Sequence, residues 1–359
     1  MTAPAEIGWH ADQYDTSLAS IRYRLTMPLE ALQARGVPIE RYDPARDPAS
    51  YRAIIFSKSQ SAEALAIARA ARTAGRVVIY DLCDNLFAAR AIGRASAARV
   101  DRVAAMLRLA THLTFSTATL AEQIRAAVDG LMAPVRVIPD VIDAEPATPA
   151  GPSAARAAAR LDRFLARHPD ALHCIWFGKS LGRAAGYVHL ARAIAELERF
   201  AQRHPVTITV QSNDRLGYWR ARSRWRVPAC YVPWSLSTAD AVIARHRVAL
   251  IPVEINDYTA GKSINRPATA LRNGLGVVAD PIDSYRELAP FITLGNWQDG
   301  LDAYARWNGE TAARIEQGAR QIAARYGVEA IADRWQATLS AARESQQIGE
   351  RTMLRDAAR

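Results

Sequence analysis

The stretch TAGKSINRPATALRNGLGVVAD, residues 259–280, joins a polar Gly-Lys-Ser turn to a helical pattern and a short apolar run. Proline is tolerated only in the first turn of a helix, so Pro267 predicts a helix that begins close to Lys262. Ser263 is a good candidate for its N-cap. The apolar run that follows predicts a buried strand. This order of elements is typical of α/β folds with a parallel sheet.

The letters Gly-Lys-Ser occur at 178–180 and again at 261–263, and they also end the phosphate-binding loop of many nucleotide hydrolases. That loop needs a further glycine five residues earlier, so that backbone N–H groups can surround the phosphates. Asn256 and His173 occupy those positions, which excludes the motif.

The lysines are nevertheless unusual. Only three of the 46 basic residues are lysines, Lys58, Lys179 and Lys262, and each precedes a serine. Coincidence among so few residues is one interpretation. The other is that these sites need a compact ammonium rather than a planar guanidinium.

The composition is that of an ordinary globular protein, with 359 residues, 50% hydrophobic and 23% charged. This length suffices for two domains with full cores. Three scattered cysteines, no signal-peptide pattern and no long apolar run predict a cytoplasmic protein. The net charge of +10 favours anionic partners, including a peripheral contact with the inner face of an anionic membrane. No zinc-finger spacing is present, and nucleic-acid binding is not expected.

Apolar β-branched runs alternate with helical patterns in both halves of the chain, which predicts two Rossmann-like parallel sheets. A segment rich in Pro, Ala and Gly, residues 143–153, separates the halves and predicts a linker. Ligands of such sheets bind beyond the carboxyl ends of the strands.

The segment KSINRPATALRNGLGVVA, residues 262–279, resembles the KSPLKLLEYMALGKPVVA-type segment of GT-B glycosyltransferases, in their retaining, family-4-like branch. The matching residues are Lys262, Ser263, Arg266, Gly274, Val277 and Val278. Weaker similarities cover YRLTMPLEALQARG at 23–36, VVIYDLCDNLF at 77–87, VRVIPDVID at 135–143 and the IWFGKS run that ends at Ser180. The chain departs from the family where two glutamates usually stand, at Thr269 and Gly261. A second basic residue would fall on Ala185, and Arg183 is close enough to substitute for it.

The resemblance implies an α/β fold of GT-B type, with two Rossmann-like domains whose parallel sheets face each other across a cleft. The implied domains are an N-terminal acceptor domain at 1–142, a linker and hinge helix at 143–170, a nucleotide-sugar domain at 171–325, a helix at 326–345 that returns to the N-terminal domain, and a tail at 346–359.

The resemblance also implies a donor site for a nucleotide-sugar. The expected donor-binding residues are Gly178, Lys179, Arg183, Trp234, Asn256, Asp257, Tyr258, Lys262, Ser263, Asn265 and Arg266. Lys262, Lys179 and Asp257 are the expected catalytic residues. The lysines would stabilise the charge of the leaving diphosphate, so neither a metal nor a cofactor is expected.

The expected acceptor-binding residues are Arg22, Arg24, Lys58, Asp81 and Asp84. One of the two aspartates is alternatively a helix cap. The acceptor would be a glycan, a lipid-linked intermediate or a protein, in bacterial polysaccharide biosynthesis. A catalytically inactive GT-B-like binding protein and a basic nucleic-acid-binding protein are the alternative functions. The sequence indicates no oligomeric state.

Overall fold

The structure, a computed structural model, describes residues 5–142, 152–180 and 186–357. Its strands are β1 Ile7–His10, β2 Ile39–Arg41, β3 Ala53–Ser57, β4 Val77–Leu82, β5 His112–Phe115, β6 Val135–Val137, β7 Leu172–Phe177, β8 Val206–Ser212, β9 Ala229–Pro233, β10 Val248–Ile251, β11 Gly276–Ala279 and β12 Thr293–Leu294.

The helices are α1 Ala19–Ile21, α2 Met27–Ala34, α3 Ala62–Thr73, α4 Leu86–Ala91, α5 Ala97–Leu109, α6 Ala118–Ala127, α7 Pro152–Ala166, α8 Tyr187–Phe200, α9 Arg215–Arg222, α10 Ala239–Ile243, α11 Asp257–Ala260, α12 Asn265–Arg272, α13 Trp297–Ala305, α14 Gly309–Tyr326 and α15 Val328–Ala357. A π-helical segment, Arg22–Thr26, joins α1 to α2, and 3₁₀ turns lie at Pro48–Ser50 and Asp283–Leu288.

The chain divides into two compact units, each taken here over its described residues. The first comprises Met1–Val141, Ala260–Ser263 and Tyr326–Arg359, and the second comprises Ile142–Thr259 and Ile264–Arg325. Each unit holds one six-stranded sheet, in the order β2-β1-β3-β4-β5-β6 for the first and β12-β11-β10-β7-β8-β9 for the second. Neighbouring strands pair in parallel in both.

The first sheet is buried on both faces, because successive side chains of a strand point to opposite sides. Ile54 and Phe56 of β3 join the core under α3, α5 and α6, whereas Ile55 joins the core on the opposite face. That second core contains residues of α2 and α15, and the rings of Trp9 and Trp335 meet there at 4.7 Å. Strands covered in this way are mostly apolar, as the sequence pattern predicts.

The second sheet is built on the same principle. Helix α8 buries Leu190, Ile194 and Leu197, which lie three or four residues apart on one face of the helix. The strand β8 between β7 and β9 is buried along its whole length.

Helix α7 lies in the segment expected to hold a linker and a hinge helix, and residues 143–151 of that segment lie outside the described residues. One feature differs from the sequence-based expectation: helix α15 continues to Ala357, beyond the expected start of a tail at 346. The segment after 346 lacks proline, and Glu, Gln, Arg, Ala and Leu, its prevalent residues, are good helix formers. Among the described residues, no helix combines the length and apolar composition needed to cross a membrane.

Candidate functional site

Polar side chains gather at the carboxyl ends of the first sheet. Asp81, near the end of β4, is fully buried and accepts hydrogen bonds from Ser57 of β3 at 2.8 Å and Thr114 of β5 at 2.7 Å. Its carboxylate also pairs with the guanidinium of Arg24. Since neighbouring parallel strands end at the same edge, three strands contribute to one buried network.

Arg24 brings this network a positive charge from the π-helical segment. The side chain is 1% exposed. Besides Asp81, it reaches Asp140 at 3.3 Å and donates to the carbonyl oxygen of Ile138. A buried charge is tolerated only when its partners are close and well placed, as they are here. Single π-helical turns recur at functional sites, where they redirect a side chain.

A second cluster is centred on Asp84, three residues after Asp81 in the chain. Asp84 pairs through one carboxylate oxygen with Lys58 at 2.8 Å and through the other with Lys262. Burial alone would raise the pKa of the Asp84 carboxyl, but the two ammonium groups override burial and hold that pKa well below its usual range. Two of the three lysines of the chain therefore serve one carboxylate.

The backbone of Lys58 is strained. Its φ of 53° lies in the left-handed region, and no other described residue except glycine has a positive φ. A side chain with a Cβ pays about 1–2 kcal/mol for this conformation. The backbone N–H donates to the carbonyl oxygen of Asp81 at 2.9 Å, and the side chain turns toward Asp84. Strain of this kind is concentrated at functional sites.

The segment Ala260–Ser263 belongs to the first unit and makes hydrogen bonds to it. The carbonyl oxygen of Gly261 accepts from Thr117 at 3.0 Å, and Ser263 donates to Asp140 at 2.7 Å. A Cβ on Gly261 would lie 2.8 Å from Oε1 of Gln123 and 3.3 Å from Cβ of Leu120, so a larger residue here would require side chains of α6 to shift.

The expected N-cap role of Ser263 is wrong. Helix α12 begins at Asn265, and its N-cap is Ile264, which has no side-chain oxygen to offer. The hydroxyl of Ser263 is used for Asp140 instead. The helix-cap alternative for Asp81 or Asp84 is also wrong, because Asn85 caps α4 through the backbone N–H of Ala88 at 3.0 Å.

The expected acceptor residues thus divide into two pairs and one further residue, Arg22. Lys58 and Asp84 are partly exposed, at 26% and 22% of their side chains. Arg24 and Asp81 are buried and engage each other, an arrangement that suits positioning rather than direct contact with a ligand. Arg22 is half-buried, donates to the carbonyl oxygen of Thr16 at 2.9 Å and lies over the ring of Tyr23.

The second unit gathers its own group at the carboxyl end of β7. A Cβ on Gly178 would lie 3.9 Å from Nη1 of Arg266, which extends from the first turn of α12. The backbone N–H of Ser180 donates to Asn213 at 2.9 Å, and this bond helps to fix the turn after the strand. Lys179 is exposed.

The remaining expected donor residues of this unit lie after β9 and β10. Asn256 caps α11, since its Oδ1 accepts from the backbone N–H groups of Tyr258 at 3.0 Å and Thr259 at 3.1 Å. Asp257 is exposed, and Tyr258 and Trp234 are half-buried. Asn265 is the first residue of α12 and is partly buried. Arg183 lies outside the described residues.

Sequence reasoning missed Asp140, Ser57 and Thr114. Asp140 follows β6, in the stretch VRVIPDVID, for which the family resemblance implies no site residue. The sequence signal for Asp140 was its position shortly after a strand, where ligands of such sheets bind. Within the described ranges, no three His, Cys, Asp or Glu side chains are grouped so as to hold a metal ion.

Comparison with solved structures shows that the chain has the GT-B fold of two Rossmann-like domains. The Anabaena protein HepE, solved in complex with UDP, is similar over 94% of this chain and all of its own, at 15% identity and a TM-score of 0.64. The α,α-trehalose 6-phosphate synthase of Burkholderia multivorans is 14% identical over 81% of this chain and 72% of its own, with a TM-score of 0.54.

A third structure is that of S. aureus TarM, as a mutant in complex with fondaparinux, α-GlcNAc-glycerol and UDP. It is 10% identical over 81% of this chain and 56% of its own, with a TM-score of 0.54. No protein-family model and no curated protein sequence matches the chain. At these identities the likeness shows the fold alone, and the family-4-like branch stays a prediction.

Proposed function

We propose that the chain is a glycosyltransferase that moves a sugar from a nucleotide-sugar to a glycan, a lipid-linked intermediate or another acceptor. One observation carries the proposal: the approach of Arg266 to the backbone of Gly178, at the carboxyl end of a strand in a GT-B fold. A glycine lets a ligand approach the backbone closely, and a guanidinium recognises phosphate oxygens in a bidentate manner. UDP in the HepE structure supports a nucleoside diphosphate as the ligand class.

The chemistry requires stabilisation of a leaving nucleoside diphosphate. Negative charge grows on its phosphates as the glycosidic bond breaks, and preorganised cations lower the barrier most where charge develops. We assign this role to Lys262, Lys179 and Arg266. The first turn of α12 adds backbone N–H groups, which its N-cap Ile264 leaves without a side-chain acceptor. Because these cations and N–H groups would stabilise the negative charge of the leaving diphosphate, the proposed reaction needs no metal ion.

The sugar and the base would contact the loops after β9 and β10. Asn256 fixes the backbone of the turn that presents Asp257 and Tyr258. The exposed carboxylate of Asp257 suits a sugar hydroxyl and a catalytic contact, and the half-buried ring of Trp234 suits the base. Ser263 and Asn265 would complete the segment around Lys262. Retention of the anomeric configuration rests on the family resemblance.

The acceptor would bind at the edge of the first sheet. Lys58, Asp84 and Arg22 are the accessible candidates, while Arg24 and Asp81 would hold the edge in shape. An acceptor hydroxyl would find a carboxylate in Asp84, and an anionic acceptor would find the basic groups. The cytoplasmic location and the role in bacterial polysaccharide biosynthesis belong to the same proposal.

The test is calorimetry with UDP, GDP, dTDP and CMP, with and without EDTA. We expect one nucleoside diphosphate to bind in either buffer and Arg266→Ala to weaken it at least about tenfold, the usual range for a charge-assisted contact. Arg286→Ala is the matched control, because Arg286 is exposed and pairs with Asp283 in the same turn. Failure of every diphosphate to bind, or binding that EDTA abolishes, contradicts the proposal.

A GT-B-like binding protein without transferase activity is the second candidate. It is favoured by the missing acidic pair, since Thr269 and Gly261 stand where the family usually carries two glutamates. Hydrolysis of a nucleotide-sugar separates the two candidates. Slow release of the free sugar indicates an enzyme, whereas tight donor binding without turnover indicates a binding protein.

A further inference from the structure

Helix α9 exposes large apolar side chains on a firmly anchored base. Tyr218 is 2% exposed, and its ring meets those of Trp225 at 5.9 Å and Tyr231 at 5.1 Å. On the outside, Leu216 is 70% exposed and Trp219 is 51% exposed. Residues three apart share one face of a helix, so the two side chains form a small apolar patch. The anchor fixes this patch toward solvent.

Arginines flank the apolar pair along the chain. Residues 215–226 contain five arginines and no acidic residue. Arg215, Arg220, Arg224 and Arg226 are exposed, whereas Arg222 is half-buried and donates to the carbonyl oxygen of Trp225 at 2.7 Å.

Two carboxylates on the adjoining elements face this region. Asp214 accepts from the backbone N–H of Gly217 at 2.7 Å and caps α9. Glu198 of α8 accepts from the backbone N–H of Arg226 at 2.9 Å. Both are thus engaged with backbone donors, and two negative charges against five positive ones leave the surface strongly cationic.

We propose that this surface docks on an anionic phospholipid membrane. It consists of Arg215, Leu216, Trp219, Arg220, Arg224 and Arg226. An amphipathic helix in the membrane interface places apolar side chains at the acyl boundary and basic side chains against the phosphates. Tryptophan is enriched at that boundary. A nucleic acid would also attract the arginines and would find a stacking ring in Trp219, but it would offer no apolar surroundings to Leu216, which is 70% exposed. The proposal does not depend on glycosyl transfer.

The experiment is co-sedimentation of the full chain with vesicles of phosphatidylcholine, alone or mixed with phosphatidylglycerol. We expect binding to the mixed vesicles only. The double variant Arg220→Ser, Arg224→Ser should weaken it about 25-fold, at about fivefold for each arginine. The double variant Leu216→Ser, Trp219→Ser should weaken it at least about tenfold through lost apolar burial. Both variants change exposed residues, and circular dichroism checks their folding.

Met132→Ser is the control, because Met132 is 91% exposed but lies elsewhere, in the first unit. It should bind the mixed vesicles as the unmodified chain does. Equal binding by all variants, or binding to phosphatidylcholine alone, overturns the proposal. A single-stranded oligonucleotide that binds more tightly than the vesicles, and is lost in the same variants, would overturn it in favour of nucleic acid.

Discussion

The ammonium of Lys58 lies 2.8 Å from one carboxylate oxygen of Asp84, and the other oxygen of Asp84 pairs with Lys262. The two lysines stand 204 positions apart in the chain, yet both belong to the first unit. A Lys58 variant is therefore no independent control for Lys262, because losing either ammonium changes the charge around the same carboxylate. Two of the three lysines in the chain thus lie beside the same carboxylate.

The strain at Lys58 predicts an unusual order of stability. Lys58→Ala loses the pair with Asp84 but keeps the left-handed backbone at φ 53°. Lys58→Gly loses the same pair and relieves the strain, because glycine adopts this conformation freely. We expect Lys58→Gly to be more stable than Lys58→Ala by about 1 kcal/mol in urea unfolding. A glycine variant less stable than the alanine variant would show that the backbone is not strained.

The pKa of Asp84 predicts how stability depends on pH. Because the folded-state pKa is lowered by Lys262 and Lys58 against the effect of burial, the ionised carboxyl stabilises the fold above the unfolded pKa of about 3.9. That stabilisation is lost as the pH falls from there toward the lowered value. Asp84→Asn should cost about 1–3 kcal/mol at neutral pH, and the cost should shrink below pH about 4.

Urea unfolding at a series of pH values measures this difference. Asp283→Asn is the control, since its pair with Arg286 is exposed and should contribute less than about 1 kcal/mol at any pH. A cost for Asp84→Asn that stays constant into acid would contradict the assigned pKa direction.

The parallel sheets were predictable because most of their strands are rich in apolar β-branched residues, a pattern typical of strands that are covered on both faces. Polar residues were expected after the strands, because ligands of open α/β sheets bind beyond the carboxyl ends of the strands. The docking of Ala260–Ser263 on the first unit was not, because contacts between distant segments leave no trace in local spacing. Ser263 illustrates the reason: its residue type favours a helix cap, but the carboxylate of Asp140 takes its hydroxyl instead.

The proposed function predicts that Lys262 matters more to turnover than to folding. An ammonium that meets the growing charge of the leaving diphosphate acts on the transition state, so Lys262→Ala should lower kcat by ~10²–10³. The lysine is 33% exposed and Asp84 keeps Lys58, so the loss of stability should stay below about 1 kcal/mol. Lys262→Arg should recover part of the rate, because its planar fork directs its charge differently.

Steady-state kinetics with Asp84→Asn separates this role from a merely structural one. If Lys262 served only to neutralise Asp84, removing the carboxylate would make the ammonium dispensable, and the double variant would recover the activity that Lys262→Ala loses. If the ammonium acts on the diphosphate, the double variant should stay as slow as Lys262→Ala, whereas Asp84→Asn alone keeps that cation. The readout is hydrolysis of the nucleotide-sugar without acceptor, because Asp84 is itself a candidate for acceptor binding. Arg320→Ala removes an exposed cation paired with Glu316 and should leave kcat unchanged. Normal turnover by Lys262→Ala would leave the segment around it a docked turn without a catalytic role.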